Sequence, residues 1–269
     1  MKIDDSNSVA VVIPCFRQVG FLPDAIESAL SQAVAPNEII VVDDGNEQDL
    51  SAIASEYPLV RFVRQENRGL AAARNRGLNE TSSGKVIFLD ADDSLLEGAV
   101  EAGLRCFGAN PAAAFVYGGF EETSREHTQV RFTSIEDRLD LLRCNWVAMI
   151  GTVMFDRTIL LENGGFDETL GMCEDWDAYL RLSRTHPFAA HDETVARYRK
   201  HDANMSADET KLRWWIDEVR RRECERGLNP SELRAWSQGP EVWDRYYPAP
   251  GRLSRPERIR RKLSRALRI

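Results

Sequence analysis

Cysteine is sparse in this 269-residue chain, and none of it is spaced to hold anything. The five residues, Cys15, Cys106, Cys144, Cys173 and Cys224, are odd in number and scattered, with no C-x-x-C pair and no Cys/His spacing of a zinc site. This excludes a disulfide framework and points to reduced thiols in a cytosolic compartment. Long apolar runs are missing as well, since the longest, Trp146 to Phe155, is too short to cross a bilayer. The start, Met1-Lys2-Ile3-Asp4-Asp5, lacks the basic and apolar regions of a signal peptide. A soluble protein is expected, cytoplasmic or at most peripheral on the inner face of the cell membrane. There is no net excess of basic charge: the formal charge of -8 argues against nucleic acid as a partner. After the first apolar strand the chain reads Pro14-Cys15-Phe16-Arg17-Gln18-Val19-Gly20, so the G-x-G-x-x-G of a dinucleotide site is absent. No G-x-x-x-x-G-K-[ST] loop occurs either, which excludes a P-loop ATPase.

What remains is an ordinary globular composition, 43% hydrophobic and 29% charged, long enough for one large domain or a domain with an appendage. Short apolar runs predict strands at Val9 to Pro14, Glu38 to Val42, Leu59 to Val63, Lys85 to Leu89 and Ala113 to Phe120. Helical spacings fall between them: Leu22, Ile26, Ala29, Leu30 and Ala33, then Leu50 to Tyr57, Gly69 to Asn79, and Leu96, Val100, Leu104 and Phe107. Strand, polar loop and helix repeat, which gives βαβ units and a single, mainly parallel, Rossmann-like sheet flanked by helices, an α/β fold. Beyond residue 120 the alternation breaks. A helix around Ile135 to Leu142, strands at Val147 to Phe155 and Thr194 to Tyr198, and a helix over Glu174 to Arg184 are expected. Charge-rich helical sequence follows over Glu209 to Arg226, so the chain divides into 1–206 and a helical extension, 207–269.

The chemistry gathers at strand ends. Phe88-Leu89-Asp90-Ala91-Asp92-Asp93 closes a buried strand with three carboxylates, where open α/β sheets bind ligands. Such oxygens suit Mg²⁺ or Mn²⁺ sharing its shell with substrate phosphates, and they equally suit an acidic turn capping the helix that follows. Pro14-Cys15-Phe16 and Asp43-Asp44-Gly45 converge on the same edge, where a metal-bridged nucleoside diphosphate fits. Asp44 is then placed for the base or ribose, Asp90 for ribose hydroxyls and Asp92 for the cation. Glu174-Asp175 opens an amphipathic helix and reads either as a favourable N-terminal charge or as a general base. His201, near Asn204 and Ser206, reads as a ligand to metal or diphosphate, or as a surface histidine.

Taken in order, these segments resemble glycosyltransferase family 2, over roughly residues 8 to 206. Val11-Val12-Ile13-Pro14-Cys15-Phe16 resembles the opening strand, whose Pro14 and Phe16 frame the base, and Val41-Val42-Asp43-Asp44-Gly45 the second, with Asp44 as base-binding acid. Asn67-Arg68-Gly69-Leu70-Ala71-Ala72-Ala73-Arg74-Asn75 resembles the N-x-G-x-x-x-A-R-N helix beside the nucleotide, giving Asn67, Gly69 and Arg74. Asp90-Ala91-Asp92 matches D-x-D, with Asp90 towards ribose and Asp92 towards metal. Gly165-Phe166-Asp167 with Glu174-Asp175-Trp176 matches the turn and E-D pair, where the Asp is the base in related enzymes. Tyr198-Arg199-x-His201-x-x-Asn204-x-Ser206 matches the final strand and loop.

The resemblance implies a GT-A fold and an inverting, metal-dependent transfer from a nucleoside diphosphate sugar, UDP-sugar favoured, to a hydroxyl of a glycan or lipid-linked acceptor. Asp175 is the implied base, and Asp92 with His201 hold Mn²⁺ or Mg²⁺. Bacterial cell-surface glycan assembly is the expected setting, and a catalytically silent sugar-nucleotide binder or scaffold is the alternative. The Q-x-x-R-W motif of processive synthases is not met, since Thr210-Lys211-Leu212-Arg213-Trp214 lacks the Gln. From Arg252 to Arg268 the chain carries eight Arg or Lys and one acid, with Ile259, Leu263, Ala266 and Leu267 on one stripe. That pattern reads as contact with an anionic membrane surface or as a solvated basic helix. Trp214, Trp215, Trp236, Trp243, Tyr246 and Tyr247 either close over an acceptor or pack the extension onto the domain.

Overall fold

The computed structural model describes residues 5–124, 127–201 and 204–246. The basic stripe at 252–268 and Tyr247 lie outside the described residues. The strands are β1 (Val9–Cys15), β2 (Glu38–Asp44), β3 (Arg61–Gln65), β4 (Lys85–Phe88), β5 (Ser94–Leu95), β6 (Phe115–Thr123), β7 (Thr128–Arg131), β8 (Val153–Asp156) and β9 (Phe188–Arg199). They form one sheet in the order β3-β2-β1-β4-β8-β6-β9-β5, with β7 on β6. β1 runs parallel to β2 and β4, and β2 parallel to β3, as continuous apolar runs buried on both faces require. β8 then enters antiparallel between β4 and β6, and β5 and β7 are also reversed. The sheet is therefore mixed, more so than the regular alternation of the first 120 residues implies.

Side chains of β1 alternate between two cores, as a period of two demands. Val9, Val11 and Ile13 join Leu22 and Ile26 of α1 (Leu22–Leu30) and Val100 and Phe107 of α4 (Ala99–Ala109). Ala10 and Val12 join the opposite face, beneath α3 (Leu70–Glu80), α5 (Arg138–Arg143) and α7 (Glu174–Leu182). The short helices α2 (Ser51–Glu56) and α6 (Arg157–Glu162) complete the layers. α3 lies close to β1 because Gly77 faces Val12, where any Cβ would overlap the valine methyls.

α8 (Glu209–Glu225) and α9 (Pro230–Tyr246) share the second core: Ile216, Val219, Ala235, Trp236 and Trp243 are buried in it. Trp176 of α7 packs against Trp236 and Trp243 at ring separations of 6.2 and 5.2 Å. These two tryptophans thus pack the extension, Trp215 lies partly buried against the same core, and Trp214 stays exposed. α9 runs through Pro240, which removes the donor for the carbonyl four residues back. That carbonyl, of Trp236, accepts instead from Arg220 Nη2 at 2.7 Å, and the guanidinium stacks over the Trp236 ring. No helix among the described residues is long and apolar enough to cross a membrane.

Candidate active site

The carboxyl ends of β1, β2 and β4 form the edge onto which the loops converge. At its centre lies Arg74 on α3, a buried guanidinium that donates to Glu174 Oε1 and, at 2.7 Å, to Asp90 Oδ1. It also sits over the Phe166 ring, 5.7 Å from the centroid. The neighbouring Asn75 fixes the turn that leads to α7: its Nδ2 donates to the Phe166 carbonyl and its Oδ1 accepts the Phe166 amide, both at 2.8 Å. Gly165 has φ 63° there, and a Cβ would stand 2.5 Å from Asn75 Oδ1. The helix carrying Arg74 therefore positions the helix carrying Glu174 and Asp175.

Asp175 lies partly buried in the first turn of α7, one of its oxygens accepting the Trp176 amide at 2.6 Å. Burial, and then the charge of Glu174, push its carboxyl up from 3.8 to about 7, against the lowering effect of Arg74. A carboxylate with that affinity can take a proton near neutral pH. Beneath it the Tyr179 hydroxyl is buried with no hydrogen-bond partner among the described residues, and burial, reinforced by Asp175, raises it well above the usual phenol range. Tyr179 enters the sequence pattern only as a helix-face residue.

Asp90 links this group to a second one. Its charge, after burial, raises both Asp92 and Asp93. Asp92 Oδ2 accepts from Gln18 Nε2 at 2.5 Å, His201 Nε2 at 2.9 Å and Asn204 Nδ2 at 3.3 Å. His201 is stacked on Phe21 at 5.2 Å. Arg199 braces the loop from behind, its amide donating to Asp93 Oδ1 at 2.9 Å and its Nε to the Asp92 carbonyl at 3.1 Å. Asp93, a natural helix cap by position, thus ties β4 to β9 instead, and Gly98 occupies the N-cap of α4. Gln18 and Arg199 carry no local signal for this role, because both contacts span more than seventy residues of chain.

A hard divalent cation is commonly held by one or two carboxylates and substrate phosphates. Asp92 and His201 supply one oxygen and one nitrogen at hydrogen-bond distance, which fits a cation that arrives with a diphosphate. A protein-only cage does not fit, since no group of three or more His, Cys, Asp or Glu among the described residues is arranged to hold a metal.

The third group surrounds Asp44, which is 2% exposed. Its carboxylate accepts from Gln65, Asn67, Arg68 and Gly69 at 2.8 to 3.2 Å, fixing the loop that enters α3. Asp43 holds Asn46, which in turn bonds the Cys15 carbonyl and the Arg17 amide. Gly45, Arg64, Gln65, Glu66 and Asn67 line an open cleft of about 510 Å³ beside this loop. Phe16 stands exposed just past β1 with Arg17 over its ring, whereas Pro14 is buried in β1 and the Ala91 methyl in the core. The expected residues therefore fall into three adjoining groups: the Asp44 loop, the Asp92–His201 pair and the Arg74–Glu174–Asp90 triad with Asp175.

Known proteins carry the same arrangement of chain. By fold, the chain is similar to TarS of S. aureus, residues 1–349, with a TM-score of 0.72 at 15% identity, covering 91% of this chain and 74% of that one. It is also similar to the mannosyltransferase PcManGT from Pyrobaculum calidifontis, solved with GDP-Man and Mn²⁺, with a TM-score of 0.64 at 17% identity over 96% and 79% of the two chains. By sequence it is 29% identical over 190 residues to the chondroitin synthase of Escherichia coli, covering 67% of this chain and 27% of that protein. It is 30% identical over 216 residues to the uncharacterized protein MT1568 of Mycobacterium tuberculosis, covering 71% and 67%. The chain thus spans about a quarter of the chondroitin synthase and two thirds of the mycobacterial protein. The sequence profile of Glycosyl transferase family 2 matches residues 10–175, from the first strand through Asp175 and over more than half of the chain, so the protein belongs to that family.

Proposed function

We propose that the protein is an inverting glycosyltransferase that moves a sugar from a nucleoside diphosphate sugar, UDP-sugar favoured, to an acceptor hydroxyl. The observation that carries this reading is Asp175: a carboxyl raised to about 7, one residue from the Arg74–Glu174–Asp90 triad and on the same edge as Asp92 and His201. Asp175 removes the acceptor hydroxyl proton as the oxygen attacks the anomeric carbon. The new C–O bond forms on the face opposite the departing diphosphate, whose C–O bond breaks with its electron pair, and the proton remains on the Asp175 carboxylate. No covalent enzyme intermediate is required. Arg74 keeps Asp90 and Glu174 fixed, so the ribose side and the acceptor side of the site stay in register.

Asp92 and His201 would hold Mn²⁺ or Mg²⁺, which when bound neutralises charge on the leaving diphosphate. TarS solved with UDP-GlcNAc and PcManGT solved with GDP-Man and Mn²⁺ support a nucleotide-sugar donor. A glycan or lipid-linked acceptor, in bacterial cell-surface glycan assembly, agrees with the chondroitin synthase relative. Asp175→Asn is the decisive variant: donor affinity measured by calorimetry is expected to persist while transfer falls about 10²–10⁴-fold, the usual share of a general base. Near-normal turnover would remove Asp175 from the reaction.

A further inference from the structure

We propose that Tyr179 is a positioning residue for the base: its buried hydroxyl donates, through one water shared with Arg74 Nε, to the Asp175 carboxylate. This inference rests on the role of Asp175 proposed above. Tyr179 stands four residues after Asp175 on α7, hence on the same face of the helix. Long side chains of a helix lean back towards its N-terminus, which carries the Tyr179 ring under the turn that holds Asp175. The ring is fully buried and packed against Phe115 and Phe155, with centroids 5.1 and 6.0 Å away. The hydroxyl at its end has no hydrogen-bond partner among the described residues.

A second buried donor of the same group is also left over. The terminal nitrogens of Arg74 are taken by Glu174 and Asp90, whereas its Nε, equally buried, has no partner among the described residues. The charges that bear on the Tyr179 hydroxyl are, in falling order, those of Asp175, Arg74, Glu174 and Asp90, so the phenol belongs to the cluster of the base. Burial keeps it well above the usual phenol range, and it therefore stays protonated as a standing donor. A buried water typically makes about three hydrogen bonds. Arg74 Nε can only donate to such a water and a carboxylate can only accept from it, so the donors run from Arg74 and Tyr179 towards Asp175. Asp175 has room for it, since the Trp176 amide at 2.6 Å takes one of about four acceptor positions.

A donor to a carboxylate favours its charged form. The Tyr179 link thus opposes the burial that raises Asp175, and keeps the base able to lose its proton near pH 7 rather than well above it. The other ionisable groups facing Asp175 are Glu174 and Cys173 from its own segment, Arg74 from α3 and Asp90 from the loop after β4. Charged groups on the remaining elements against α7 are committed elsewhere. Arg138 of α5 donates to the Leu180 carbonyl, Arg226 of α8 pairs with Asp177 at 2.7 Å, and Arg157 of α6 donates to the Leu78 carbonyl at 3.1 Å.

Tyr179→Phe in the full chain deletes the hydroxyl alone and tests this in two ways. In transfer assays the rise of kcat with pH is expected to move up by about one pH unit, the scale of one hydrogen bond to a charged group, with KM unchanged. At pH 6 kcat then falls about tenfold, and at pH 9 it nearly meets the wild type. Lost packing alone would lower kcat by one factor at every pH. In thermal melts without substrate, the folded variant holds its Asp175 proton to higher pH, so stability is lost as pH rises beyond 7. Its Tm should drop further below wild type at pH 9 than at pH 5, and Asp175→Asn, with no charge to serve, should abolish that extra drop. A Tm that rises at both pH values would overturn the assignment, because the hydroxyl would then be a dry, unpaired group. So would an unshifted pH profile, or an extra drop that persists with Asp175→Asn. A wild type that transfers no sugar, with the melts as expected, would instead sink the role of Asp175 as base while upholding its link to Tyr179.

Discussion

Asp175 strains the fold at the pH where the proposed reaction needs its carboxylate. Its carboxyl is raised from 3.8 to about 7, so between those values the folded chain holds a proton that the unfolded chain has released. Linkage then requires stability to fall as pH rises through that window, and the full cost is present above pH 7. A shift of this size corresponds to on the order of a few kcal/mol. Asp175→Asn removes the charge and keeps the shape. That variant is expected to melt at a higher temperature than wild type at pH 8, with the gain vanishing near pH 3.5. Calorimetric Tm values across that range check it, and a variant less stable at pH 8 would contradict the cause assigned here. Turnover of the wild type should rise with pH through about 7, as the proposed base loses its proton.

Elements bring these residues together by close approach, and α3 is the most exacting of them. Gly77 permits its contact with Val12 on β1, and Arg74 and Asn75 lie on the preceding turn of the same helix. Gly77→Ala should force the helix outward at a cost of about 1–3 kcal/mol, the range of an overpacked core. Denaturant titration reads the stability, and transfer activity should fall with it because Arg74 no longer reaches Asp90. The strands on either side were legible in sequence because β1, β2 and β4 are buried on both faces and read as apolar runs. β7 has mostly exposed, polar residues, and β5 is two residues long, so neither leaves a periodic trace. α9 is hidden by Pro240, which the sequence alone presents as a breaker; Arg220 makes it tolerable from another helix. The acidic strand ends that mark the site are local in the same way, whereas Gln18 and Arg199 meet Asp92 and its loop only after the chain has folded back.

At the scale of the molecule, the question is whether α8 and α9 are an appendage or part of the body that holds α7. Trp176, fully buried beside the Glu174–Asp175 pair, is covered by Trp236 and Trp243, and its indole nitrogen reaches the Leu141 carbonyl at 2.9 Å. Buried charges cross the same boundary. Asp177 of α7 pairs with Arg226 at 2.7 Å, and Glu223 of α8, fully buried, takes Arg184 at 2.6 Å and also Arg138. Removing one member of such a group leaves unpaired charge behind, and typically costs about 3–5 kcal/mol. Removing both helices would expose the tryptophan face, take Glu223 and Glu232 from Arg138 and Glu223 from Arg184, and leave Asp177 with Arg181 alone, which is of the order of a whole domain's stability. A chain ending at residue 207 is therefore expected to lose its cooperative thermal transition, whereas one ending at 246 should keep it. Differential scanning calorimetry of the two decides the matter. A sharp transition in the shorter chain would make the extension a true appendage, and α5, α6, the sheet and the Arg74–Glu174 ion pair would then suffice to hold α7.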